Sequence, residues 1–480
     1  MLFKPACKIG AFVMLLWSAV MLVPLSVAWQ NWQQTSTFLY SAGCCALLAL
    51  ILYLGGRGAI SRIQPRALFM ATAFNWLLLS FPGTLPFLFA GIGISFTDSL
   101  YESVSGITTT GGSIFADVES LPRGILLWRS LSQWIGGIGI ILVAVAVLPS
   151  LKIGGMKLFR SEFSEWSQLE SGRISRIALI IGSFYLMISG LCCGAYLLFG
   201  MSGFDAVNHT MTTVSTAGFS TWNDSFGHYD NSHLHLVASI FMLLGASPIL
   251  IIMLSITSRS LMIFQDRQVQ HLLLMTLAAA LLIALWRSHN SGEGVLQLLE
   301  SSFFNVVSIA TTTGYASADY GTWGSFALMI MCFLMFSGGA SGSTSGGIKL
   351  FRYHLLYIFM KEHIHSSLHP QAQISRQYNK RTISDDILVA SLAYFFFVIV
   401  ALVVSSSLLA LMGLDPITSF SGSLTTLMNV GPGLGPIIGP TGNFGDLPDA
   451  AKYILSINML LGRLEYLTLV IIFTRAFWKW

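Results

Sequence analysis

The sequence predicts an all-α integral membrane protein: an N-terminal helical hairpin, then four pseudo-repeated helix–loop–helix units around one axis. Three observations predict it. Charged residues are 10% of the 480 residues and hydrophobic ones 54%, against about 25% charge in a soluble globular domain. The apolar runs reach the roughly 20 residues of a spanning helix, without the short alternation of a barrel. One pattern also occurs four times: a long apolar run, a short one, a Thr/Gly string and a second long run.

Residues 1–60 hold the hairpin, with apolar runs at 10–28 and 37–54. Ser26-Val27-Ala28 faintly resembles a signal-peptidase site. The run before it exceeds the about 7–15 apolar residues of a signal peptide, so a retained helix is expected. Unit one (61–150) has runs at 68–90, 95–107 and 125–148, with its string at Thr108-Thr109-Thr110-Gly111. A linker at 151–173 precedes unit two (174–260), with runs at 177–199, 204–214 and 236–256 and the string Ser215-Thr216-Ala217-Gly218. Unit three (261–360) has runs at 269–286, 295–310 and from 326, with Thr311-Thr312-Thr313-Gly314 between them. A second linker at 361–383 leads to unit four (384–480), with runs at 387–412, 417–428 and 453–473 and the string Asn429-Val430-Gly431. Two helices per unit and two in the hairpin give ten transmembrane helices. The string glycines are 107, 96 and 117 positions apart, and thirteen before each stand Asp98, Asp205, Ser301 and Thr418. The Asp, Ser and Thr there are expected to cap the short helices.

With Lys4 inside, 20 of the 25 lysines and arginines fall on the inner side; Arg123, Arg287 and Lys452 fall outside. Both termini are then cytoplasmic, and all four short segments dip in from the outer face. Thirteen carboxylates, among them Asp98, Glu102 and Asp205, lie on that face and are expected to concentrate cations.

Non-helical backbone at membrane depth is tolerated where it is buried or lines a polar cavity. Glycine frees φ so that successive carbonyls can face one axis. Carbonyls and Thr hydroxyls then replace the water shell of a cation. One Thr-Thr-Gly alone reads as a turn; four in equivalent places read as the lining of one central pore. The run Gly338-Gly339-Ala340-Ser341-Gly342-Ser343-Thr344-Ser345-Gly346-Gly347 breaks the helix after the third string, since each glycine costs a helix about 1 kcal/mol against alanine. It is a candidate gate. Arg463, an intramembrane charge with Glu465 nearby, needs a partner or a cavity; Arg129 reads as structural or snorkelling. The six cysteines have no disulfide or zinc spacing. No zinc-protease or nucleophile-elbow motif occurs, so no enzyme is expected. His363, His365 and His369 read as a solvated loop.

The segments Ile107-Thr108-Thr109-Thr110-Gly111-Gly112, Val214-Ser215-Thr216-Ala217-Gly218-Phe219, Ala310-Thr311-Thr312-Thr313-Gly314-Tyr315 and Met428-Asn429-Val430-Gly431-Pro432-Gly433 resemble the TrkH/TrkG/KtrB/HKT superfamily of potassium transporters. The resemblance covers essentially the whole chain, and the extra N-terminal hairpin fits its TrkH branch. It implies K+ as the transported ion, a filter glycine in every unit, and potassium selectivity through Gly111, where a Ser goes with sodium permeation. It also implies an intramembrane loop under the filter and a gating role for Arg463. The partners it implies are a second copy in a homodimer and a cytoplasmic TrkA-type regulatory ring that binds nucleotide. This chain carries no Gly-rich phosphate loop after a strand, and its basic stretches suit lipid headgroups or such a subunit. The place is a bacterial inner membrane. Asn429 and Val430 depart from the Thr pattern. A gated selective pore is the leading expectation; a proton- or sodium-coupled symporter is the alternative, since discontinuous helices occur there too.

Overall fold

The computed structural model describes residues 3–29, 31–58, 65–146, 173–290, 292, 294–370, 376–379, 381–464, 472 and 474–478. Helices dominate; among the described residues the one sheet is a ribbon of Gln377–Tyr378 with Arg381–Thr382. Among the described residues seven helices are long and apolar enough to span a membrane: Phe3–Ala28, Trp32–Gly55, Met70–Phe89, Arg123–Leu142, Ala178–Leu198, Arg267–His289 and Asp385–Leu411.

The remaining three expected spans do not appear as single long apolar helices among the described residues. The run at 236–256, expected as one helix, is two: Ser232–Gly245 and Ile249–Thr257 meet at 100°. Pro248 lacks the N–H that would continue the first helix, and its ψ of 111° turns the chain. In unit three the helix Ser325–Phe336 stops before the Gly/Ser run and Leu350–Leu368 begins after it. In unit four Asp449–Arg463 is described; Glu465 and most of the residues C-terminal to it, like the linker at 151–172, lie outside the described residues.

Each unit has a short helix between its long ones: Phe96–Ile107, Gly203–Val214, Val295–Ala310 and Pro416–Met428. Their caps differ from expectation. The N-caps are Ser95, Ser202, Gly294 and Asp415. Asp98 and Asp205 sit three residues into the first turn, in capping boxes: Ser95 Oγ and Ser202 Oγ accept from their amides at 3.1 and 3.2 Å and donate to their carboxylates at 2.9 and 2.7 Å. Thr418 holds the same position, its amide on the Asp415 carboxylate at 3.0 Å, while Ser301 is inside its helix. In units one, two and four the repeated offset marks the third helical residue, not the cap.

The hairpin leans on unit one. Trp17 packs on Trp128 with ring centroids 5.0 Å apart, and the Trp128 indole N–H donates to the Gly83 carbonyl at 3.2 Å. The six cysteines are all free.

Candidate functional site

The four short helices end the same way. The residue after each end adopts left-handed backbone or leads into it: Thr109, Thr216, Thr312 and Asn429 have φ of 54, 50, 59 and 54°. The next amide reaches back five residues: Thr110 to Ser105, Ala217 to Thr212, Thr313 to Ser308 and Val430 to Thr425, at 2.8–2.9 Å. This is the Schellman closure of a helix. Two residues after each left-handed position stands the string glycine, left-handed again: Gly111, Gly218, Gly314 and Gly431, with φ of 83, 79, 84 and 118°.

The glycines close the four strings into a ring. A β-carbon on Gly111 would lie 2.1 Å from the Ala217 carbonyl oxygen. One on Gly218 would lie 1.9 Å from the Thr313 oxygen, one on Gly314 2.2 Å from Val430, and one on Gly431 2.8 Å from Thr110. Each unit thus presses its glycine on the carbonyl of the next, and the fourth returns to the first. All fifteen predicted string residues, Val430 included, are brought together there. The Thr108 and Thr311 hydroxyls donate to Val104 and Val307 carbonyls at 2.6 and 2.7 Å and share a bond with Thr110 and Thr313, both at 2.8 Å. Ser215 Oγ donates to Met211 O at 2.7 Å. Asn429 Nδ2 donates to Thr110 Oγ1 at 2.9 Å, so it joins unit four to unit one.

The Gly/Ser run lies against the ring on the side where the short helices arrive. Gly347 N donates to Met428 O at 2.8 Å. Gly346 N donates to Thr312 Oγ1 at 2.7 Å, which also bonds Ser345 Oγ at 3.1 Å. Thr344 Oγ1 meets Thr216 Oγ1 at 3.1 Å and donates to Gly245 O at 2.9 Å. Ala340 N caps the Ala246 carbonyl at 2.8 Å, and Gly342 O accepts from Ile249 N at 3.3 Å. The bend of unit two and the break of unit three therefore satisfy each other. Inside the run, Ser345 Oγ accepts from Gly339 N at 2.7 Å and Ser343 Oγ donates to Ala340 O at 2.6 Å. Gly338 N reaches Ile348 O at 3.0 Å, and Ser341 N reaches Gln268 Oε1 at 2.9 Å. Lys349 Nζ holds the Ser345 carbonyl. Arg463, buried from unit four, donates Nη1 to Thr344 O at 2.9 Å, while its Nε and Nη2 have no partner among the described residues. The run thus touches units two, three and four. In unit one the buried Thr109 hydroxyl has no partner among the described residues.

Three expected outer carboxylates have structural duties instead. Glu102 is fully buried and pairs with Arg129 at 2.7 Å. Arg129 therefore does not snorkel; its Nη1 and Nη2 also reach Ser220 O and Ser113 Oγ, at 3.0 and 3.1 Å, tying unit one to unit two. Asp98 is paired with Lys452 of unit four, and Asp205, also buried, accepts from Thr221 at 2.6 Å.

The sequence reading missed three helix glycines and one glutamine. Gly136, Gly245 and Gly462 back onto the ends of the short helices: their β-carbons would lie 2.1, 2.9 and 2.1 Å from the Ile107, Val214 and Leu427 carbonyls. A glycine inside the second apolar run, single in units two and four and one of Gly136, Gly137 and Gly139 in unit one, was the available signal. Gln133, fully buried, bonds the second string on both sides of its glycine.

The arrangement has known relatives. The family model TrkH, described as a cation transport protein, matches residues 60–479. The Trk system potassium uptake protein TrkI of Halomonas elongata is 41% identical over 418 residues, 87% of this chain and 85% of that protein. The Trk system potassium uptake protein TrkH of Escherichia coli K12 is 32% identical over 99% of both chains. The crystal structure of the potassium transporter TrkH from Vibrio parahaemolyticus matches with a TM-score of 0.92 at 30% identity, over 100% of both chains. The chain is a transporter rather than an enzyme, and it belongs to the TrkH family of cation transport proteins.

Proposed function

We propose that this chain takes up potassium across a bacterial inner membrane through a gated, K+-selective pore. The observation that carries this reading is the closed ring, in which four carbonyls and four left-handed glycines interlock across unit boundaries. Carbonyl oxygens around one axis replace the hydration shell of K+ without a net charge that would trap it. The short helices end at the ring, and their partially negative C-termini favour a cation there. The ion approaches from the outer face, sheds water at the four strings and passes when the 338–347 run moves aside. The run is the gate, and Arg463 holds it through Thr344. The relatives' names, Trk system potassium uptake proteins, support K+ as the cargo. A homodimer and a cytoplasmic TrkA-type ring that binds nucleotide complete the proposed assembly.

The test is rubidium uptake into liposomes that hold this protein alone, with no proton gradient. Block by K+ and not by Na+ is the expected result. Uptake that needs an imposed proton or sodium gradient overturns the pore in favour of a symporter. Gly111→Ser in the same assay is expected to admit sodium, because any side chain there strikes the Ala217 carbonyl. An unchanged K+ preference in that variant would sink the filter assignment.

A further inference from the structure

The ring is four-fold in backbone but not in what holds it. Four equivalent carbonyls close it: those of Thr110, Ala217, Thr313 and Val430. Among the described residues one of the four accepts a side-chain hydrogen bond. Gln133 Nε2 donates to Ala217 O at 2.7 Å, and Gln133 Oε1 accepts from Phe219 N at 3.0 Å. The amide orientation is forced, because the Phe219 backbone N–H can only donate and must meet the oxygen. One buried side chain thus grips residues 217 and 219 and spans Gly218 between them.

The other units lack this grip. Gln133 precedes Gly136 by three residues on the helix Arg123–Ala146. In units two and four the residues three before Gly245 and Gly462 are Met242 and Met459, both fully buried. Methionine has the length of glutamine but no amide to donate. The second string also carries Ala217, where units one and three have a threonine whose hydroxyl bonds back to its own string.

We infer that Gln133 is a positioning residue for ion selectivity, acting through the Ala217 carbonyl. Two physical effects run the same way. A carbonyl that already accepts a hydrogen bond offers a weaker field to a cation, and a weaker field favours K+ over the smaller, more strongly hydrated Na+. A carbonyl pinned on one side also resists shrinking onto a smaller ion. Unit two therefore sets the lower limit of the ring's size. This rests on the reading of the ring as the ion filter.

The experiment is competitive rubidium uptake with Gln133→Met, which installs the residue that units two and four carry. A monodisperse variant whose K+-over-Na+ preference falls about three- to tenfold, the worth of one hydrogen bond, supports the inference. Gln133→Leu is measured beside it. It removes the donor and the acceptor together, and the same fall is expected, so the test stands if the methionine variant does not fold. An unchanged preference in either folded variant, with Gly111→Ser still admitting sodium, overturns the role of Gln133 alone. An unchanged preference in Gly111→Ser as well overturns the filter reading and this inference with it.

Discussion

Threonine at a left-handed backbone position costs about 1–2 kcal/mol, because its branched β-carbon crowds the following carbonyl. The ring has three such threonines, and Asn429, a residue that tolerates the conformation, in the fourth place. The departure of unit four from the Thr pattern is thus conformationally easy, and its amide gains a bond to unit one. Strain of this kind persists where surrounding contacts over-determine it, and at Thr312 the contact is the Gly/Ser run. Thr312→Val keeps the shape but removes the acceptor of the Gly346 amide. About 1 kcal/mol less restraint on the run is expected, and a several-fold higher rubidium flux. A flux equal to that of the unaltered chain would show that this bond does not restrain the proposed gate.

Elements meet through buried polar pairs and bends. Glu102 and Arg129 lie on the short and second long helices of unit one, and both are almost wholly buried. Breaking such a pair leaves a bare charge and costs about 3–5 kcal/mol. Glu102→Gln is therefore expected to lower thermal stability sharply in detergent, and adding Arg129→Met is expected to recover part of it. A single variant as stable as the original would mean that the pair is solvated. Pro248 acts on a larger scale. Its bend frees the Gly245 and Ala246 carbonyls, which Thr344 and Ala340 then occupy. In Pro248→Ala the two helices can regain their own hydrogen bonds and withdraw those partners. We expect a higher flux without a change in ion preference; a selectivity change would place the bend in the filter instead.

At the scale of the whole molecule the ring is an interlock between units, with each glycine set on the neighbour's carbonyl. The helix Leu350–Leu368 continues directly from the Gly/Ser run, so the proposed TrkA-type ring would act on the run through it. Nucleotide alone is expected to leave rubidium flux through the purified chain unchanged, and to alter it once a TrkA-type ring is added. A response of the isolated chain would place a nucleotide site within it.

Much of this was legible in the sequence, because membranes impose simple rules. Length and hydrophobicity decide what spans, and glycine decides where backbone leaves the helix. Four spaced strings and one dense Gly/Ser run therefore announced both the repeat and its break. The sequence also named the residues of the ring, since all four strings carry the glycine that left-handed backbone requires. Other features depended on neighbours distant in the chain. Asp98 and Asp205 read as caps, but the chain entered each short helix three residues earlier, at Ser95 and Ser202. Glu102 read as an outer charge until Arg129 met it 27 residues away. The order in which the strings interlock, the grip of Gln133 on Ala217 and the mutual capping of bend and loop were decided by tertiary structure alone. Hydrogen bonds and close approaches are short-ranged, and only the folded chain brings residues 84 to 319 positions apart within their reach.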